Sequence, residues 1–456
     1  MRKKWLPFLL AFAFLLLPAR TAFAAPRAGV TDNQVAFDFP HTATFSAAIS
    51  ADLEIASITL EYGNIQQTCG EVVAKAYPDF TPGKKVNVEW TWDMRQSGSL
   101  PPGATIWWRW IYADSSGKQY STETQTATWL DDEHPWQTIS SGDLRLHWYG
   151  KDKAFAQTML DAGLEGLRRN KEQAGLTTED PIDLYVYPNY FDMQEAILYE
   201  PSWTGGMAFP EYNIFIMGVS GSDATWDKNT VIHELTHILV GHLTFSCLGD
   251  VPTWLNEGLA MYSEGALDSA AQAQLDQAIR SDTLLTVRSL NGGFSELPDK
   301  ANLSYSQSYS IVNFLIKTYG QEKLTELLKA LRDAKPIDDA LLEIYGFDSD
   351  GLEDAWRKSV GAAPRAVSPQ ATAMPTPTFV PTYVPVAGIP LAVTPTPYAV
   401  PTSSFDGSNS PAAEEDNTTF IILTVALVCV CLLFLLILGV VILTFIVRSQ
   451  KAGKNG

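Results

Sequence analysis

Cysteine is scarce in this chain: there are four in 456 residues, and two of them, Cys429 and Cys431, fall inside a long apolar run near the end. Only Cys69 and Cys247 remain for the rest of the sequence, which excludes a fold built on a disulfide framework. Whether these two pair is not legible at this level. Basic residues are scarce as well. Lys and Arg number 32 against 51 Asp and Glu, for a formal net charge of −19. The excess of acid grows when the basic residues at the two ends, Arg2, Lys3 and Lys4 and then Arg448, Lys451 and Lys454, are set aside. Such a surface disfavours nucleic acid and anionic lipid, so no nucleic-acid partner is expected. No internal repeat is evident.

The ends carry targeting patterns. Met1-Arg2-Lys3-Lys4, an apolar run from Trp5 to Leu17, and Ala22-Phe23-Ala24 follow the order of a secretory signal peptide over 1–24, with cleavage after Ala24. The run is too short, and closes too soon at Pro18, for a membrane anchor. Residues 420–447 hold no charge and are long enough to cross a bilayer as one helix. Acidic Glu414, Glu415 and Asp416 precede this stretch and basic residues follow it, so 448–456 is expected as a cytoplasmic tail. The expected location is therefore the cell membrane, single-pass type I, with the bulk of the chain extracytoplasmic.

Between the ends, length allows two or three domains. Over 30–130 short runs alternate apolar and polar residues, as in Val35-Ala36-Phe37-Asp38-Phe39 and Val86-Asn87-Val88-Glu89-Trp90, separated by turn-formers such as Pro82-Gly83. That pattern predicts an all-β sandwich of the immunoglobulin or fibronectin kind. Its tryptophans read as core rather than as a carbohydrate platform. Beyond Asp131 the pattern turns to mixed helix and strand: strands at 144–149, 182–187 and 212–217, a helix at 155–170, and helices at 304–319, 321–334 and 350–360. Residues 364–417 are rich in Pro, Thr, Val, Ala and Ser and predict a semi-extended stalk, about 3.1 Å per residue where it is polyproline II.

The chemistry sits in His233-Glu234-Leu235-Thr236-His237 within an apolar-rich stretch. Four residues make about one helical turn, so both imidazoles leave the same face and can bind one ion. Glu234 lies beside them, free to polarise a bound water and accept its proton. A catalytic zinc needs a third protein ligand and one open position. His242, five residues after His237, points away if the helix continues, and it misses the metzincin spacing of six. Glu257 is the better candidate. It lies in Pro252-Thr253-Trp254-Leu255-Asn256-Glu257-Gly258, on a second helix started by Asp250 and Pro252 and stopped by Gly265. Its apolar neighbours make it partly buried, and a cation would satisfy it.

The combined pattern, His233-Glu234-x-x-His237 and then Trp254-Leu255-Asn256-Glu257-Gly258, resembles the gluzincin zinc metallopeptidases of the MA clan, the thermolysin and aminopeptidase N group, and most of all their small peptidase domains. The resemblance covers roughly 135–362 and implies an α+β peptidase domain with a helical C-terminal part. It implies Zn2+ on His233, His237 and Glu257, with Glu234 as general base. Glu264 matches an acidic position that supports a ligand from behind. The aminopeptidases add a Tyr that stabilises the oxyanion; Ser304-Tyr305-Ser306 resembles its context, which points to Tyr305 ahead of Tyr309. One departure stands out. Where aminopeptidases carry Gly-Ala-Met-Glu-Asn, this chain has Gly205-Gly206-Met207-Ala208-Phe209-Pro210, without the acid that grips a substrate amino terminus. An extended peptide can still pair with such a strand, which favours an endopeptidase. The expected function is a membrane-anchored zinc peptidase acting on polypeptide. The alternative is a catalytically silent surface protein that binds or adheres through the β-sandwich; a silent scaffold has no physical need for Glu234. Oligomeric state is not legible.

Overall fold

The computed structural model describes residues 29–365 apart from 71, 98–99, 199–204, 222 and 296. The signal peptide, stalk, membrane span and tail expected from sequence lie outside these residues. Among those described, no helix is long and apolar enough to cross a membrane. The chain divides at Thr372 into two compact units, and the second falls wholly outside the described residues.

The first seven strands are antiparallel and alternate in burial, as their sequence alternates. They are β1 (Gly29–Asp38), β2 (Thr42–Asn64), β3 (Ala74–Ala76), β4 (Gly83–Asp93), β5 (Thr105–Asp114), β6 (Gln119–Ser121) and β7 (Gln125–Thr128), with a short α1 (Met94–Ser97) after β4. In β5, Ile106, Trp108, Trp110 and Tyr112 point inward while the residues between them do not. The organising element is β2, 23 residues long and far beyond an ordinary strand. Up to Ser50 it pairs with β1 and β4; past breaks in register around Ile55 it pairs continuously from Ser57 on with β5, and from Leu60 to Tyr62 also with β3. The two halves face each other across one core, with the rings of Phe45 and Tyr62 5.7 Å apart and those of Phe45 and Trp108 5.6 Å apart. The buried indole N–H groups of Trp108 and Trp110 both donate to Asn33 Oδ1, at 2.8 and 3.1 Å, so these rings pack without an unmet donor.

The second half is a five-stranded sheet in the order β11-β12-β10-β9-β8. It contains β8 (Gln137–Ser141), β9 (Leu144–Trp148), β10 (Ile182–Tyr187), β11 (Gly206–Phe209) and β12 (Ile214–Gly218). β9, β10 and β12 run parallel, and β8 and β11 flank them antiparallel. Tyr212, expected to open a strand over 212–217, instead belongs with Pro210 and Glu211 to a single 3-10 turn that reverses β11 into β12, because Pro210 fits the first helical position and Asn213 takes the left-handed conformation (φ 58°). β10 and β12 are covered on both faces, as central parallel strands are. Leu184, Val186, Phe215 and Met217 pack on the helices, whereas Tyr185, Tyr187, Ile214 and Ile216 pack on an aromatic cluster that includes Phe39 and Leu130 from the β half.

The helices are α2 (Lys153–Ala174), α3 (Tyr190–Glu195), α4 (Ala224–Thr244), α5 (Thr253–Glu264), α6 (Ser269–Ser281), α7 (Pro298–Tyr319), α8 (Gln321–Arg332), α9 (Ile337–Tyr345) and α10 (Ser349–Ser359). A disulfide joins Cys69 of the β half to Cys247 after α4, across 178 residues of sequence. The pairing left open by the sequence is thus made between its two halves.

Candidate metal centre

α4 starts where Asp223 accepts hydrogen bonds from the N–H groups of Thr225 and Trp226, 2.9 and 3.1 Å away. Its Val231, Ile232, Leu235, Ile238 and Leu239 are fully buried, so the helix runs through the core and its orientation is fixed on most sides. α5 begins after Pro252 and ends at Gly265, as the sequence signals suggest. A buried polar chain locks α4 to α5 through α2. Asn170 Nδ2 donates to Thr236 Oγ1 (2.9 Å), and Ser263 Oγ donates to Asn170 Oδ1 (3.0 Å). Arg169 caps the last turn of α5 through the carbonyls of Ser263 and Glu264, at 3.1 and 2.6 Å.

This scaffold brings His233, His237 and Glu257 together, each offering one ligand atom within 4.8 Å of the others. Glu257 Oε2 lies 3.3 Å from His233 Nε2 and 3.5 Å from His237 Nε2, and the three side chains are only 12 to 17% exposed. The outward nitrogens are occupied: His233 Nδ1 is 2.7 Å from Glu264 Oε1, and His237 Nδ1 is 3.0 Å from Asn256 Oδ1. Both Nε2 atoms therefore face inward, toward a carboxylate oxygen that is buried and has no hydrogen-bond donor. Two imidazole nitrogens and one orphaned carboxylate oxygen fit a divalent cation of the zinc type.

Burial works against charge on the two histidines, but Glu257 and Glu264 outweigh it at His233 and raise its pKa well above the usual value. His237 is raised against the same burial, chiefly by Glu257. Glu257 is pushed the other way: burial would raise it, and His237 and His233 together hold it far below the carboxylate range. Glu234, 8% exposed, is raised by burial, with the histidine charges pulling it down.

Gly206, on the outer strand β11, passes against Glu234; a Cβ there would lie 2.8 Å from both Cγ and Oε1 of Glu234. Tyr305 sits two turns into α7 rather than at a helix start, its ring 6.4 Å from that of His233 and edge-on to Phe294 at 5.2 Å. Burial first, then the carboxylates of Glu257 and Glu234, push its phenol well above the ordinary tyrosine range. Tyr309 packs on Tyr262 instead. His242 is turned away, with Nε2 on Asn213 and Nδ1 3.2 Å from Thr178. Sequence reasoning missed Asn256, Asn170, Thr236 and Arg169. Only Asn256 had a local signal, as the neighbour of Glu257 on the same turn.

Residues 162–362, less than half of the chain, match the family model described as Peptidase MA superfamily, which supports an MA-clan, metallopeptidase-like domain there. No curated protein matches the chain. Among solved structures, the crystal structure of a Br derivative of BhCBM56 is 12% identical, covers 21% of this chain and 88% of that one, and has a TM-score of 0.15, too low to bear on the fold.

Proposed function

We propose that the chain is a membrane-anchored, extracytoplasmic zinc metallopeptidase, exported by residues 1–24 and held at the membrane by residues 420–447. The observation that carries this reading is the buried Glu234 beside the convergent His233, His237 and Glu257, with one Glu257 oxygen lacking any donor. Zinc held by these three residues would supply a Lewis acid that polarises the scissile carbonyl and makes water acidic enough to attack near neutral pH.

The chain's own groups supply the rest. Burial makes the Glu234 carboxylate a stronger base than a solvated one, suited to taking a proton from the attacking water and passing it to the leaving amine. Tyr305, kept un-ionised by burial and by Glu257 and Glu234, remains a hydrogen-bond donor for the oxyanion. β11 is an edge strand whose outer side can add an extended peptide, and Gly206 lets the strand's own backbone come close to Glu234. No acid stands on Gly206–Phe209, which supports cleavage within chains over trimming from the amino end.

The test is Glu234→Gln in the full chain. Zinc near one equivalent is expected in both proteins, with hydrolysis of a mixed protein digest reduced about 10²- to 10⁴-fold in the variant. A metal-free wild type, or equal activity in the two, rejects the mechanism.

A further inference from the structure

Trp226 is left 52% exposed on α4, the helix that carries two of the candidate ligands and the candidate base. The side chain is exposed but not free to turn. Its backbone N–H donates to the capping carboxylate of Asp223 at 3.1 Å, and its indole, which can only donate, is hydrogen-bonded to the Tyr190 hydroxyl. The side chain of Ser220 shares that hydroxyl. Tyr190 is itself held by the sheet: it opens α3 against Gly218, the last residue of β12, where a Cβ would lie 2.6 Å from Tyr190 Cα. A solvated tryptophan leaves its N–H to water and samples several rotamers. Here the polar atom is satisfied inside the protein, and a fixed apolar surface faces outward.

The ring stands in line with the chemistry. Trp226, Thr230 and Glu234 follow at four-residue spacing on one face of α4, and Thr230 Oγ1 donates to the Trp226 carbonyl at 3.0 Å. The start of β11 runs along that face. A Cβ on Gly205 would lie 3.7 Å from both the Trp226 and the Tyr190 rings, and one on Gly206 would lie 3.0 Å from Thr230 Cγ2 and 2.8 Å from Glu234. Gly205 is fixed in turn, its carbonyl accepting from the Gly218 N–H at 3.0 Å. Consecutive residues therefore lie against the aromatic pair and the candidate base. Trp226 and Glu234 are about 12 Å apart along the helix, and an extended peptide advances about 3.4 Å per residue. A peptide added to β11 with one bond at Glu234 thus passes the indole about three residues away.

We propose that Trp226, braced by Tyr190, is an apolar subsite that takes a bulky aliphatic or aromatic side chain of the polypeptide on β11, about three residues from the scissile bond. Trp226 sets specificity and takes no part in the chemistry. The proposal rests on the peptidase reading for the bond at Glu234 and on the free edge of β11 for the peptide. Its primary test measures binding without turnover.

The probes are two amino-blocked, fluorescein-labelled decapeptides of alanine and serine, identical except that one carries a single central phenylalanine. Each is titrated by fluorescence anisotropy, with zinc present, into the full chain carrying Glu234→Gln. The phenylalanine peptide is expected to bind about fivefold more tightly, the scale of one aromatic contact. Adding Trp226→Ala removes that preference while zinc content stays as it was, and Trp226→Phe in its place restores part of it. In the wild type, cuts in the phenylalanine peptide fall about two to four residues from that side chain. Equal binding of the two peptides, a preference that survives Trp226→Ala, or cuts directly beside the phenylalanine overturns the subsite. So does self-association that Trp226→Ala abolishes with the peptide preference unchanged, which gives the ring to a second copy of the chain. Failure of the wild type to hydrolyse either peptide, with the Trp226-dependent preference intact, bears only on the peptidase reading.

Discussion

Glu257 Oε2 is buried between two imidazoles and receives no hydrogen bond, while each imidazole has its outer nitrogen committed to a partner. Without a metal, Glu257 and Glu264 keep the histidines protonated to higher pH than usual, and the histidines keep the Glu257 carboxylate ionised. For a histidine with a raised folded pKa, the stabilisation is complete below its unfolded value and fades as pH climbs through the folded one. Zinc requires neutral imidazoles, so loading it near neutral pH must displace those protons. Glu264 raises His233 and also fixes its ring, so Glu264→Ala has two expected effects. Zinc affinity falls about 10- to 100-fold, and calorimetry in buffers of different ionisation enthalpy records fewer protons released per zinc bound. Unchanged affinity and proton count would make Glu264 a bystander.

The metal centre depends on how closely α5 approaches its neighbours. Gly258, next to Glu257, lies against α7, and a Cβ there would be 2.5 Å from the Ser308 carbonyl oxygen and 2.6 Å from Val312 Cγ2. The first contact is backbone and cannot yield without moving a helix. Gly258→Ala is expected to destabilise the fold by about 1 to 3 kcal/mol through overpacking. It should also shift Glu257 relative to the histidines and to Tyr305, seen as weaker zinc binding alongside a lower denaturation midpoint. The two-histidine turn, Glu257 and the bounds of α5 were legible in the sequence because helical spacing and end signals are local. The Asn170-Thr236-Ser263 chain that sets the angle between α4 and α5 was not, since it joins residues far apart in sequence that have no shared pattern. The start of α7 was missed for a related reason. Its first turns, Pro298 onward, are polar and give no stripe, so the apolar period begins only near Ser304. Nor does alternation reveal that β2 serves both layers, because both of its halves alternate alike.

On the scale of the whole molecule, the two halves act as one body through three kinds of contact. Phe39 and Leu130 enter the aromatic cluster on the outer face of the five-stranded sheet. Gly103 passes so close to Tyr185 that a Cβ would lie 2.3 Å from its ring. Cys69 and Cys247 then tie the loop after β2 to the loop after α4. A cross-link over 178 residues removes more loop entropy from the unfolded chain than a short one would. Replacing both cysteines, Cys69→Ser with Cys247→Ser, is therefore expected to lower stability by about 2 to 4 kcal/mol, measured as a lower denaturation midpoint for the described unit. The native contacts that do not involve the bridge remain, so the variant should still bind zinc near one equivalent, because no ligand lies on either loop. The segment around Gln67 loses that brace but keeps the backbone bond from Gln67 to Glu211. An unchanged denaturation midpoint, with zinc lost at the same temperature as in the wild type, would mean that the β half is held by packing alone and the bridge positions nothing.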